Sequence, residues 1–536
     1  MKLQRLPEYL LVAIVTLLGM GFAVYCGQLV GHGQSKTVWM FVIFALAMYI
    51  ALKMGTRIWF LIPMTWPLLG EMQVLPLPFA LRDVVILGVF ALFLALKAFK
   101  RIRRKPTFDA LDFVLAINLF YLLTVFARNP VGVLAIESER VGGKPYASAC
   151  IACLAYWVLG RVTVEAATAK KLVLWMLTAP AIELVLGAIT YYFPITAPTL
   201  GRIYTGGISM ENYDTESGGA REEDGGGRRQ FMSCGGAPLA LALCSYFRPL
   251  TLINPEYILR FAAFGFSIYA TISSGFRSSV MLVVAILLLS SFLRKGAIDL
   301  FRMAWFGGPL IFLLLLAQGH VLELPLVAQR SLSFLPAKWD PNALEDARGS
   351  TEWRVQMWKT VLTSDKYIRN KILGDGFGFS RRDLEMAARK NSEQFSAEAQ
   401  MINGDFHSGP VSAIRNVGYV GLVLYEVLLV CLAFRAWKVA RKAMDTPFFP
   451  VALYVGIPVI FEPLNYNFIF GGFSVSLPNS IYCVAMLKMI ATSLDAHLAA
   501  PQVADTQKPI LPAPRRTRPA PKPALPALAR TSFRKA

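Results

Sequence analysis

Apolar residues along this chain gather into runs of roughly 16 to 22, long enough to cross a hydrocarbon core of about 30 Å. The runs fall at about 9–30, 37–52, 58–80, 84–99, 108–127, 145–160, 172–193, 236–250, 257–274, 278–293, 303–318, 413–434, 448–464 and 473–491. Pro63, Pro67, Pro76 and Pro78 break the third, which reads either as a span or as a re-entrant segment. The pattern predicts an all-α polytopic membrane protein with about 12–14 transmembrane helices and one large, partly helical outer loop. The first run follows Met1-Lys-Leu-Gln-Arg5, as in a signal peptide. It is long for one and lacks a clear small-residue cleavage site, so it reads as the first anchor.

Polar segments set the topology. Basic stretches at 97–105, 161–171, 294–302 and 435–442 all fall on one side when both termini are placed in the cytoplasm, as the positive-inside rule requires. Three polar segments then lie outside, at 128–144, a glycine-rich 196–235, and the longest, 319–409. In the last, Ser350 reads as an N-cap, with Glu352 in the first turn and an apolar stripe of Trp353, Met357, Trp358, Val361 and Leu362. Ser380 with Asp383 reads as the start of a second helix. The chain thus divides into N-terminal spans (1–200), central spans with the glycine-rich loop (201–318), the large outer loop (319–409) and C-terminal spans (410–491). A basic, Pro-rich tail follows (492–536), expected to be disordered and to meet anionic lipid.

Composition agrees with this reading: 55% of the 536 residues are hydrophobic and only 16% charged, against about a quarter in soluble domains. The net charge of +20 falls in short loops and the tail, which argues against nucleic acid. Cys150 and Cys153 have CxxC spacing but sit in an apolar run without a nearby histidine, so they read as packing residues rather than a zinc or redox site.

Few residues remain to carry chemistry. His407, one of four histidines, stands in Asn403-Gly-Asp-Phe-His407-Ser-Gly-Pro410, where the outer loop re-enters the membrane. Histidine suits proton transfer near neutral pH, although a lone loop histidine is commonly incidental. Arg277, in the turn Ser273-Ser-Gly-Phe-Arg277, reads either as snorkelling to headgroups or as a fixed cation for an anionic group. Arg354 is expected one turn into the Ser350 helix, on a solvated face or at an anion site. Arg228 and Arg229 follow three glycines and read as a phosphate clamp or as plain surface charge. Glu462, with Asn465 and Asn467, is placed to bind sugar hydroxyls. Glu183 and Glu426 lie within apolar runs, where carboxylates are costly; they support a rival, proton-coupled carrier. No Walker A sequence or Gly-x-Ser-x-Gly elbow is present. No external Asp-x-Asp pair stands out, although Asp340, Asp375 and Asp405 leave a metal clamp open.

Four elements occur in an order that resembles the O-antigen ligase and polymerase superfamily of bacterial envelope proteins: Ser-Gly-Phe-Arg277-Ser-Ser, then Arg354-Val-Gln-Met-Trp358, then Ile372-Leu-Gly-Asp-Gly-Phe-Gly378, then His407 followed by Gly418-Tyr-Val-Gly421. The resemblance covers about 200–465, with Ser408 where the family often has asparagine and Phe276 where it often has serine. It implies a glycosyltransferase of the inner membrane, its active site facing the periplasm. The donor would be an undecaprenyl-diphosphate-linked glycan; the acceptor, a saccharide or lipid A core. Membrane lipids and other polysaccharide assembly proteins are the further partners implied, and no cofactor or metal. Arg277 and Arg354 would hold the diphosphate and His407 would orient or deprotonate the acceptor hydroxyl. The rival classes are a transporter or flippase, in which Glu183 and Glu426 outweigh His407, and a non-catalytic assembly protein.

Overall fold

The computed structural model describes residues 53–72, 79–98, 108–132, 140–208, 229–380 and 392–499, with isolated positions elsewhere. The runs at 9–30 and 37–52, Arg228 and the tail from 500 onward lie outside the described residues, isolated positions apart. The helices, in chain order, are α1 (Leu81–Ala98), α2 (Ala110–Arg128), α3 (Gly143–Leu159), α4 (Ala166–Tyr192), α5 (Gly236–Tyr246), α6 (Ile258–Ser273) and α7 (Arg277–Lys295). Then follow α8 (Ala297–Ala317), α9 (Leu326–Leu332), α10 (Pro341–Thr363), α11 (Ser392–Asn403), α12 (Gly409–Lys442), α13 (Phe449–Leu464) and α14 (Phe473–Ala499). Among the described residues, strands amount to two-residue pairs such as Arg140–Val141 with Phe379–Ser380. Among the described residues, seven helices are long and apolar enough to cross a membrane: α2, α4, α7, α8, α12, α13 with its π turn to Ile469, and α14. This is the make-up of a multi-pass, all-α membrane protein.

Several expected spans are shorter than their hydropathy runs. Helix α5 has 11 residues and rises only about 16 Å. It stops at Phe247 because Pro249 forces Arg248 into extended backbone. The run at 58–80 is not a span: the short helical turns Gly55–Phe60 and Leu61–Thr65 end at Trp66-Pro67, and Glu71 comes back to bridge Ala80.

Two helices mark the extremes of packing. Helix α14 is buried for most of its length, with Leu477, Ile481, Met486 and Leu487 all inside the main core alongside Tyr425 and Leu428 of α12 and Leu453 and Ile457 of α13. A helix apolar on every face needs such surroundings or lipid. Helix α8 is the opposite extreme: its apolar window buries nothing, leaving Phe301, Trp305, Leu310 and Phe312 on its surface.

The long polar segment is helical, as its pattern predicts, but its main helix starts earlier. Asp340 caps α10 by accepting from the Asn342 N–H at 2.8 Å, with Pro341 in the first turn. Ser350 therefore lies mid-helix and caps nothing; Asp-Pro is the stronger start signal, and Gly349-Ser350 does not break the helix it begins. Ser380, expected to cap a helix, instead pairs with Arg140. The stripe on α10 packs as predicted, Met357 and Val361 forming a small core with Ile368, Phe406, Val411 and Ile414, flanked by Trp353 and Trp358.

Candidate functional site

His407 is held by everything around it. Gly404 turns the chain out of α11 at φ 78°, and Asp405 donates its N–H to the Gln400 carbonyl at 3.0 Å. Phe406 is 1% exposed in the small core, and its carbonyl accepts from Trp358 Nε1 at 2.7 Å. His407 itself has φ 51°, a left-handed conformation that costs a residue bearing Cβ roughly 1–2 kcal/mol. Its ring stacks on Phe470 at 5.3 Å and 26°, and Trp353 lies 6.4 Å away. Nδ1 approaches Asp405 Oδ1 at 3.2 Å, in ion-pair range but off the hydrogen-bond axis. That approach holds the Asp405 carboxyl below the usual carboxylate range. Strain kept in place by so many contacts is the kind that clusters at functional sites.

The arginines come from two other elements. After α6 ends, Gly275 at φ 74° reverses the chain, and Phe276 in extended backbone sets Arg277 as the first residue of α7. Arg277 Nη2 donates to the Ala347 carbonyl of α10 at 2.7 Å. Arg354 lies seven residues beyond Ala347, two turns along the same helix face. The two guanidinium groups are within electrostatic reach of each other. Arg354 Nε is buried without a hydrogen-bond partner, and burial lowers its pKa from the ordinary arginine value. Among the described residues, neither arginine forms an ion pair. Arg354 does not stand at a helix N-terminus, so the backbone-dipole part of the expected anion site falls away; the pair of cations remains.

Arg229 frames the same turn without joining it as a cation. Its N–H donates to the Ser273 carbonyl at 3.2 Å, and its Nη1 donates to the Tyr269 hydroxyl at 2.6 Å. The guanidinium also lies 5.9 Å from the Tyr191 ring, so it is committed to tyrosines. Ser331 of α9 donates to the Ile272 carbonyl at 3.1 Å, docking the polar segment on the end of α6.

Glu462 and His407 share one cleft of about 560 Å³, walled by Asn403, Asp405, Asn465, Phe470, Ser474 and Asn479 among others. Asn465 Nδ2 donates to Glu462 Oε2 at 3.2 Å, and Trp66 Nε1 donates to Asn479 Oδ1 at 3.0 Å. Sequence reading passed over Phe470, Ser474 and Asn479 as site residues; nothing but the fold brings 403–407 beside 462–479.

The Ile372–Gly378 motif is a brace for the helix that follows His407. Asp375 and Gly376 donate backbone N–H groups to the Arg415 and Asn416 carbonyls, at 2.8 and 3.0 Å, while Tyr419 donates to Lys371 at 2.8 Å. Gly418 breaks α12 at φ 72°, where an added Cβ would meet the Ile372 carbonyl oxygen at 2.2 Å. The Asp375 carboxylate accepts from the N–H groups of Arg369 and Asn370. Asp375 closes this turn, Asp340 caps α10 and Asp405 faces His407; the described residues contain no group of three or more side chains suited to a metal ion.

The two carboxylates set within apolar helices each have a local partner, although Glu426 Oε1 is buried without one. Tyr204 donates to Glu183 Oε1 at 2.9 Å, and Asn467 donates to Glu426 Oε2 at 3.0 Å. No family model matches the chain, and no curated protein is significantly similar to it in sequence.

Proposed function

We propose that the protein transfers a saccharide from a polyprenyl-diphosphate carrier to a saccharide hydroxyl, as an O-antigen ligase- or polymerase-like glycosyltransferase of the bacterial inner membrane with its site on the periplasmic side. The observation that supports this reading is that α10 links the three residues, carrying Arg354 near Arg277 and Trp353 against His407. Arg277 opens α7, and His407 immediately precedes α12.

The chemistry divides between these groups. In the transfer, the acceptor oxygen attacks the anomeric carbon while the bond from that carbon to the diphosphate oxygen breaks. The acceptor proton passes to His407, and the lipid diphosphate leaves with added negative charge. Two guanidinium groups that form no ion pair among the described residues suit that developing charge, since a preorganised cation stabilises it without reorganisation. A fixed imidazole removes the cost of orienting the base. The glycosidic energy resides in the donor, so the transfer requires no nucleotide. Glu183 accepts from Tyr204 and Glu426 from Asn467, but Glu426 Oε1 is buried without a partner, which is the one observation that favours the carrier reading.

The test is release of undecaprenyl diphosphate by purified protein given the lipid-linked glycan, no nucleotide, and acceptors supplied separately. Release that needs both an acceptor and His407 is expected. Release unaffected by His407→Ala, or none from folded protein with any acceptor, would refute the reading.

A further inference from the structure

Resting on that reading, we infer that the cleft beside His407 is the acceptor subsite and that it selects a neutral saccharide over an anionic one. The cleft and the arginine pair divide the charges of the site. Its wall carries the carboxyl groups of Asp405 and Glu462, the amides of Asn403, Asn465 and Asn479, and the hydroxyl of Ser474; among the described residues, no lysine or arginine lines it. A volume of about 560 Å³ falls within the usual range for small-molecule sites, roughly 300–1,000 Å³.

Amides and hydroxyls both donate and accept, whereas carboxylates only accept, which together match a ring of sugar hydroxyls. Phe470 is 45% exposed and stacked on His407, so an apolar ring face has a surface to lie on beside the base. One oxygen of Glu462 is taken by Asn465 and the oxygen of Asn479 by Trp66, which fixes both side chains before any ligand arrives. A uronic acid or phosphorylated sugar would bring its charge against the Asp405 carboxylate, with no lysine or arginine among the described lining residues to offset it. Such like-charge juxtaposition is how sites reject a partner. Basic groups line another place: Lys366, Arg369 and Arg415 border a separate pocket of about 240 Å³, between Asp375 and Ile402.

The test measures saccharide binding to the full-length protein without donor, by saturation-transfer NMR and calorimetry. The probes are neutral gluco- and galacto-oligosaccharides and galacturonate oligomers of matched length. Neutral members are expected to bind at least about tenfold more tightly than their acidic counterparts, with the gap shrinking as salt rises. Asp405→Asn should narrow the gap, and Asn479→Ala should weaken the neutral members; the second variant keeps the test open if the first folds poorly. An acidic oligomer that binds as tightly as its neutral counterpart, or no binding by any member to folded protein, would overturn the inference. Release of undecaprenyl diphosphate is read separately. Charge-ranked binding without release would sink the transferase reading and the acceptor role with it, leaving only a neutral-saccharide site; release with acidic acceptors preferred would sink this inference alone.

Discussion

Two polar clusters in this molecule are built on opposite plans. At the α2–α14 contact, Asp112 accepts from Tyr156 at 2.7 Å and pairs with Lys488, whose Nζ is 3.0 Å from the same tyrosine hydroxyl. Asp112 also accepts the Asp109 N–H in a reciprocal capping box at the start of α2, and Asp109 pairs with Arg435 at 3.3 Å. Asp112 and Lys488 are each 6% exposed, and their polar atoms are spent on one another. Around His407 the reverse holds: a left-handed histidine, an arginine Nε without a partner, and two neighbouring cations that form no ion pair among the described residues. Buried charge is kept where it is paired; unpaired charge costs free energy and persists where a ligand supplies the partner. The contrast separates structure from function within one chain.

The strongest way to break that contrast is at His407. His407→Ala is expected to lower transfer by about 10²–10⁴-fold, the range for losing a general base. Melting temperature should barely move, because alanine meets the same left-handed strain. A large fall in stability with activity per folded molecule retained would assign His407 to structure. The inner cluster predicts the opposite split. Lys488→Ala leaves Asp112 buried and uncompensated and should cost about 3–5 kcal/mol of stability, read as folded yield and melting temperature in detergent. Turnover per folded molecule should be retained. The double variant Asp112→Leu with Lys488→Met should recover most of the loss, since an apolar pair of similar volume avoids the desolvation cost.

Sequence pattern foretold the two clusters unequally. Hydropathy located α2, α7, α8, α12, α13 and α14 because a membrane imposes length and apolarity on every spanning residue. It overreached at α5 and 58–80, where prolines cut an apolar run that hydropathy alone reads as continuous. The glycines of Ile372–Gly378 and Gly418 were visible as a motif, but their reason was not: Gly374 and Gly418 meet backbone to backbone, at a distance that leaves no room for Cβ. Ser350 misled because a local capping pattern was matched while Asp340-Pro341, ten residues upstream, already fixed the helix. Asp112 with Lys488, and His407 with Glu462, are long-range pairs that no local periodicity encodes. Only the residue types gave a hint, since a charge in an apolar run needs a partner somewhere.

A finer test asks what the arginines contribute beyond charge. Arg277→Lys and Arg354→Lys each keep a cation but lose the planar fork that, on the proposed function, would grip two diphosphate oxygens. Each is expected to lower kcat/KM about ten- to hundredfold, equivalent to about 1.4–2.7 kcal/mol. The Ala347 carbonyl gives Arg277 a second task, so Arg277→Lys should also loosen α10, detectable as faster amide exchange along 341–363. Arg354 donates to no such carbonyl among the described residues, and its lysine variant should leave that exchange unchanged. Equal exchange in the two variants would show that Arg277 does not anchor the helix.

The smallest effect is expected at Asp405, whose carboxyl is 62% exposed yet lies against His407. Its pKa is depressed in the folded protein by that approach. A depressed folded-state value means that the unfolded chain binds a proton at higher pH than the folded one. The pair therefore adds stability above the unfolded carboxylate pKa, near 3.9, and loses it as pH falls through the lower folded value. Exposure keeps the contribution within the range of surface ion pairs, roughly 0–1 kcal/mol. Asp405→Asn should lower the melting temperature slightly at neutral pH and converge with the wild type at acid pH. It also removes the group facing His407 Nδ1, so kcat should fall while donor KM, set by the arginines, stays level. If Asp405→Asn instead raised donor KM with kcat unchanged, the carboxylate would belong to the diphosphate side, and the division of the site into a cationic donor half and an acidic, amide-lined acceptor half would fail.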